Sequence, residues 1–132
     1  MQDFRSLKVW RKAHTLTLDV YRATRGFPSD ERFGLTAQLR RGAASIASNI
    51  AEGCGRGSDP DFGRFLQMAI GSATEIEYQF LLARDLAYLD CVDYRRLDAH
   101  TIEVRRMLVT LLQRIKRNPP ASRNSQLAAR SS

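Results

Sequence analysis

Apolar residues recur three and four positions apart along almost the whole chain, a spacing that is typical of amphipathic α-helices. The first such stretch has one stripe on the predicted helix and a second stripe beside it, with mainly charged residues on the opposite side. The first stripe is Leu7, Trp10, His14, Thr17 and Tyr21, and the second is Val9, Ala13, Leu16 and Val20. No stretch alternates apolar and polar residues as a half-buried strand would. The pattern therefore predicts an all-α protein.

The first interruption of this pattern separates two predicted helices. Helix one begins near Ser6 and ends around Gly26-Phe27-Pro28, because glycine supplies a C-cap and proline stops propagation. Ser29 is then a candidate N-cap, and the second helix is expected to run to about Cys54.

Three glycines mark the next interruption, at Gly53, Gly55 and Gly57. Glycines that precede a helix can form a phosphate-binding loop, which needs free backbone N–H groups at the helix start. Here Asp59 is expected to cap those groups and Asp61 to repel an anion, and the sequence has no Walker-type pattern. We therefore interpret the glycines as a turn that breaks the helix.

Two long helices complete the pattern, one over about residues 60–89 and one over about residues 92–117. Four helices with short connections favour an antiparallel up-down-up-down four-helix bundle, expected over residues 1–118. Residues 119–132 are polar and lack periodicity, so we expect a flexible C-terminal tail.

The third predicted helix carries more apolar surface than one position in a bundle can bury. Its second half has apolar residues around most of its circumference, including Tyr78, Leu81, Leu82, Leu86, Tyr88 and Leu89. A helix that is apolar on most sides is buried on most sides. This surplus predicts a homo-oligomer. Glu77 is expected to form a salt link to one of the basic helices, and its place beside the surplus also makes it a candidate for an ion pair across a subunit boundary.

The formal charge of the 132-residue chain is +7, with 21 lysines and arginines against 14 aspartates and glutamates. Residues 1–27 and residues 91–118 each carry +4, so the excess lies towards the two ends. Arginine supplies most of it, and its planar guanidinium suits phosphate. RNA or DNA is therefore the predicted partner. The alternative is that these cations only keep a compact domain in solution.

The sequence has no apolar run long enough for a membrane span and no signal-peptide pattern. We expect a soluble, cytoplasmic protein with no membrane partner. Cys54 and Cys91 are too few for a disulfide framework and are expected to be reduced.

Candidate catalytic and metal-binding groups are sparse. His14 and His100 lie near no cysteine or second histidine at helical spacing, so no metal site and no cofactor are expected. Cys54 and Glu52 point in different directions on a helix, and no histidine is placed to activate the thiol. We predict that the protein is not an enzyme.

One motif keeps an enzymatic alternative open. In RRLDAH, four residues separate Arg95 from His100, which resembles the motif of the HEPN ribonucleases. Five residues turn through about 140° of a helix, so the pair converges only at an irregular helix start. A HEPN-like ribonuclease that uses Arg95 and His100 is therefore an alternative function.

Three longer motifs resemble one bacterial family. FPxxExxGLxxQLRR spans Phe27 to Arg41, NIAEG spans Asn49 to Gly53, and GSxxEIE spans Gly71 to Glu77. Over about residues 4–117 the chain resembles the four-helix bundle family first noted as reading frames in intervening sequences of 23S rRNA genes. That family includes the accessory protein of diversity-generating retroelements.

The resemblance implies an antiparallel bundle that assembles into a barrel-like homopentamer. The retroelement member has a basic surface that engages nucleic acid and a reverse transcriptase, so both are candidate partners. No catalytic residues carry over, because the family supplies none. Two positions depart from the pattern: Cys54 replaces an aromatic residue after NIAEG, and Gly42 replaces the alanine that usually follows the two arginines.

Charge and resemblance together favour a homo-oligomeric accessory protein that binds nucleic acid and has no catalytic activity. The predicted binding residues are Lys8, Arg11, Lys12, Arg40, Arg41, Arg106 and Arg117. Among these residues, Arg40 and Arg41 are the most specific candidates, because they belong to a motif of the family that the chain resembles. Binding is expected to depend on salt and to gain little from base stacking. A protein–protein scaffold without nucleic-acid binding is the competing interpretation.

Overall fold

The computed structural model describes residues 3–117, and within them the chain forms four α-helices and no strand. The helices are α1 (Lys8–Ala23), α2 (Leu35–Cys54), α3 (Asp59–Asp85) and α4 (Cys91–Arg117). The predicted all-α class and the helical bundle are confirmed. The predicted tail over residues 119–132 lies outside the described residues.

Each helix packs against two neighbours: α1 against α2, α2 against α3, α3 against α4, and α4 against α1. The apolar stripes of all four helices meet in one core. Its largest fully buried side chains include Leu16, Leu39, Ile76, Phe80 and Leu108. The repeating three-and-four spacing produces this core, because it places apolar residues of each helix on the side that faces its neighbours. On α1 the second predicted stripe is the buried one, whereas the first leaves His14 and Tyr21 exposed.

The second helix begins at Leu35, six residues later than the Ser29 cap predicted. Glu31 explains the difference, since its Oε1 accepts a hydrogen bond from the backbone N–H of Leu35 at 3.1 Å. Gly34 makes room for this carboxylate, because a Cβ there would lie 2.6 Å from Glu31 Oε1. The Tyr88 hydroxyl donates to Glu31 Oε2 at 3.0 Å, and this bond raises the pKa of Tyr88.

The three glycines after NIAE do not all break the helix as predicted. Gly53 lies inside α2 and is buried, and a Cβ there would lie 2.8 Å from Phe62 Cδ1. This glycine therefore allows α2 and α3 to approach closely. Gly55 has an ordinary φ of −82°, whereas Gly57 has a φ of 78° and turns the chain.

The start of α3 also differs from the prediction. Its N-cap is Ser58 and not Asp59, since Ser58 Oγ accepts a hydrogen bond from the backbone N–H of Asp61 at 3.4 Å. Asp59 and Asp61 both lie in the first turn, where negative side chains favour the helix and disfavour an incoming anion. The interpretation of this segment as a turn is therefore unchanged.

The third helix ends at Asp85, four residues before the predicted end, because Ala87 adopts a left-handed backbone with φ of 64°. This reversal brings Leu89 into the core and packs Tyr88 against it. Part of the apolar surplus predicted for this helix is thus enclosed within the chain. Tyr78 remains 61% exposed.

Candidate nucleic-acid interface

A groove lies between the first turns of α1 and the last turns of α4. It has a volume of about 330 Å³. Its lining residues are Leu7, Lys8, Val9, Arg106, Met107, Thr110, Leu111 and Arg114. The apolar members are buried or half-buried, and the basic members are exposed. We call this feature the α1–α4 groove.

The residues that line the α1–α4 groove include three cations and no carboxylate. Lys8, Arg106 and Arg114 make no ion pair with any residue between positions 3 and 117. Three cations in a groove without a lining carboxylate attract an anion, although Lys8 also interacts electrostatically with the nearby Glu103. The groove therefore has the electrostatic character that a phosphate-bearing ligand requires.

Helix geometry places these groups side by side. On α4, Arg106, Thr110 and Arg114 follow one another at intervals of four, which puts them on neighbouring positions of one helix surface. Arg106 and Arg114 are about 12 Å apart along the helix axis, at 1.5 Å per residue. Leu7 directly precedes α1, and Lys8 is its first residue.

The groove unites two of the predicted binding residues, Lys8 and Arg106. It adds Arg114, which the sequence analysis missed although its spacing of eight from Arg106 is visible in the sequence. Arg117 is exposed in the last turn of α4, three residues beyond Arg114, and is not among the lining residues.

Two further predicted residues lie on α1 and are already engaged. Lys12 Nζ lies 2.5 Å from Glu103 Oε1, and the hydrogen bond from Lys12 lowers the pKa of Glu103. Arg11 is exposed, and its Nη1 donates to the backbone carbonyl of Arg5 at 3.0 Å. Lys12 is the only one of the seven predicted residues that forms an ion pair within the described part of the chain.

Arg40 is half-buried and joins α2 to the end of α1. Its Nε donates to Thr24 Oγ1 at 2.9 Å, and its guanidinium carbon lies 4.8 Å from the centroid of the Tyr21 ring. Tyr21 follows Lys8 by thirteen residues, about 20 Å along α1. Arg40 therefore does not belong to the same cluster as the groove cations.

Arg41 borders a separate, smaller depression between α2 and α3. This depression has a volume of about 140 Å³ and includes Gln38, Ser45, Ser72 and Glu75 among its lining residues. The Ser45 and Ser72 hydroxyls lie 3.0 Å apart, so the two helices make a polar contact there. Arg41 is exposed but shares the depression with the Glu75 carboxylate, which weakens its attraction for an anion.

The expected salt link between Glu77 and a basic helix is confirmed within the chain. Glu77 pairs with Arg105 of the same chain, at 2.5 Å between Oε2 and Nε, because α3 and α4 lie side by side. The hydrogen bond to Glu77 raises the pKa of Arg105. Arg96 likewise bridges Asp19 and Asp93. These arginines hold helices together and are less available to a ligand.

Arg95 and His100 both lie in α4, which is already helical from Cys91. Five helical residues turn through about 140°, so the two side chains leave the helix in different directions. Cys54 is buried, and burial raises the pKa of its thiol. In the described part of the chain, no three His, Cys, Asp or Glu residues are grouped to hold a metal ion.

None of the helices within residues 3–117 has the length and apolar character needed to cross a membrane.

A family model described as 23S rRNA-intervening sequence protein matches residues 5–110. The chain is also similar to a crystal structure from Bacteroides thetaiotaomicron, a protein of unknown function from the S23 ribosomal protein family. The TM-score is 0.74 at 23% sequence identity, over 80% of this chain and 95% of that chain. At this identity the likeness establishes the fold alone. No curated protein matches the chain.

Proposed function

Because the chain belongs to the 23S rRNA-intervening sequence protein family, we propose that it is a cytoplasmic, non-catalytic accessory protein that binds RNA or DNA. One observation carries the proposal: Lys8, Arg106 and Arg114 meet in the α1–α4 groove, and no carboxylate is among its lining residues. Phosphates that bind such cations release their counterions, which supplies most of the affinity for a nucleic acid. A reverse transcriptase is the candidate protein partner that the family resemblance implies.

An antiparallel up-down-up-down topology is part of the proposal. It is supported by the ion pairs between α1 and α4, which join Lys12 to Glu103 and Asp19 to Arg96. Residue numbers rise along α1 while those of its partners fall along α4.

A homo-oligomer, a barrel-like homopentamer as the resemblance implies, is the second part of the proposal. Its support is the apolar surface that α3 leaves exposed, at Met68 (48%) and Tyr78 (61%). Light scattering provides the test, with 75 kDa expected for five copies of the 15.0 kDa chain. A monomer at micromolar concentration would contradict this part, and Tyr78→Lys should weaken the assembly if this surface forms the interface.

The test of binding is fluorescence polarisation with labelled RNA and DNA strands of about 20 nucleotides. Three phosphate contacts to a single strand predict that affinity falls about 20-fold between about 50 and 200 mM salt. In the Arg106→Ala/Arg114→Ala variant one groove cation is left, and the fall should shrink to about threefold.

The matched control is Arg22→Ala/Arg25→Ala. It removes the same charge from exposed positions around the end of α1 that do not line the groove. Equal losses in both double variants would mean that net charge alone attracts the nucleic acid, and this would overturn the assignment to the groove. A wild-type protein that assembles but binds neither strand at low salt would favour the protein–protein scaffold.

The proposed lack of catalysis has its own test. Wild-type protein and His100→Ala are incubated with labelled RNA, and the products are separated on a gel. RNA that stays intact with both supports the proposal. Cleavage by the wild type that His100→Ala abolishes would instead establish the HEPN-like alternative with Arg95 and His100.

A further inference from the structure

The α1–α4 groove combines cations with an apolar floor, and the proposed function uses only the cations. We propose that the groove selects single-stranded nucleic acid over duplexes. A nucleobase lies on the side chains of Met107 and Leu111, while neighbouring phosphates bind Lys8, Arg106 and Arg114. This inference rests on the proposed nucleic-acid binding.

The apolar floor is the first argument. Met107 and Leu111 are half-buried and both line the groove between exposed cations. A duplex keeps its bases stacked inside and presents sugars and phosphates, which gain nothing from an apolar surface. A single strand can turn a base outward, and the face of that base can cover apolar side chains. The methionine sulfur is also a favourable neighbour for an aromatic ring.

Size and spacing are the second argument. The volume of about 330 Å³ is at the lower end of the range of small-ligand pockets, so the groove admits a base and excludes a helical duplex. The separation of about 12 Å between Arg106 and Arg114 along the helix lets the two guanidiniums bind different phosphates of one strand.

Arginine chemistry is the third argument, and it favours a nucleotide, with its base beside the phosphate, over an acidic peptide. Two of the three groove cations are arginines, and a guanidinium can bind a phosphate with two hydrogen bonds while its plane stacks on a neighbouring base. A nucleotide offers both a phosphate and a base within one residue. An acidic peptide offers only the carboxylate unless it also brings an aromatic residue.

The experiment compares a labelled strand of about ten thymidines with a duplex of the same length by fluorescence polarisation. We expect the strand to bind at least about tenfold more tightly, since only its bases can reach the floor. Met107→Ser removes apolar contact without changing the charge. It should weaken binding of the strand about fivefold and binding of the duplex less than about twofold. Val92→Ser, at an exposed position near the start of α4 that does not line the groove, is the matched control and should change the binding of neither the strand nor the duplex.

Met107→Leu keeps an apolar side chain at this position and should bind the strand as the wild type does. It therefore distinguishes loss of the apolar floor from a general loss of folding. Equal binding of strand and duplex, or an equal effect of Met107→Ser on both, would overturn the inference while leaving nucleic-acid binding intact. Displacement of the strand by polyglutamate at an equal concentration of charges would also overturn it, in favour of an acidic protein. Failure of every oligonucleotide to bind would instead refute the proposed function.

Discussion

Gly42, in the middle of α2, provides the sharpest test of how tightly the second and third helices are packed. A Cβ at this position would lie 2.5 Å from Ile76 Cγ2, whereas ordinary contacts are 3.4–4 Å. Ile76 is fully buried on α3 and is β-branched, so its side chain has little freedom to rotate away. We predict that Gly42→Ala destabilises the protein, although alanine is the better helix former and is the residue usual in the family.

Two opposing effects set the magnitude. Replacing glycine by alanine in a helix interior raises the free energy of unfolding by about 1 kcal/mol. Overpacking a well-filled core costs about 1–3 kcal/mol, because side chains or backbone must shift. The free energy of unfolding should therefore fall by about 1 kcal/mol on balance.

The assay is urea unfolding followed by circular dichroism, at two protein concentrations to detect any contribution from assembly. Gly71→Ala is the matched control, since a Cβ at that mid-helix glycine would have no atom within 4 Å beyond its chain neighbours and the adjacent backbone of its own helix. The free energy of unfolding of Gly71→Ala should be about 1 kcal/mol higher than that of the wild type. Ile76→Leu removes the Cγ2 methyl, so Gly42→Ala should become stabilising in that background. The reasoning is refuted if Gly42→Ala in the wild type stabilises as much as Gly71→Ala does.

Three further predictions concern single residues. Burial, and then Glu77, raise the pKa of Asp98, so its ionised form is less favourable in the folded chain than in the unfolded chain. Asp98→Asn should therefore raise the free energy of unfolding at pH 7. This gain in stability should vanish below about pH 4, where the carboxyl group is protonated in both states. A gain that urea midpoints show to be independent of pH would contradict this. Ala87→Gly should raise the free energy of unfolding by about 0.5 kcal/mol, because the left-handed backbone costs alanine more than the lost chain entropy costs glycine. A lower urea midpoint than that of the wild type would contradict it. Cys91 is exposed and should react with a thiol reagent at once, whereas Cys54 is buried with a raised thiol pKa and should react only on unfolding; equal rates for the two thiols would disagree.

Local pattern was a good guide to helices and a poorer guide to their ends. The fourth helix was expected over about residues 92–117 and is found at Cys91–Arg117. The start of the second helix was missed, because Ser29, Asp30 and Glu31 have the composition of a first helical turn. Glu31 instead caps the later helix with its side chain and accepts a hydrogen bond from Tyr88, which is 57 residues away.

The candidate site was predicted in part. Lys8 and Arg106 were selected for their charge on an outer helix face, which can be read from periodicity. Periodicity could not predict that these residues lie beside Arg114 and an apolar floor, since this depends on how α1 is positioned against α4. Arg40 was selected for its motif, yet its guanidinium connects α2 to Thr24 at the other end of α1.

The sequence by itself determined that the chain forms helices, which side of each is buried, and that the charge is positive. These properties follow from the spacing of residues along the chain and from composition. Only the tertiary structure decided which charges are neutralised, pairing Lys12 with Glu103 and Glu77 with Arg105 while placing no carboxylate among the lining residues of the groove. The physical reason is that electrostatic attraction depends on distance in space, and helix pairing brings together residues that are far apart in the chain.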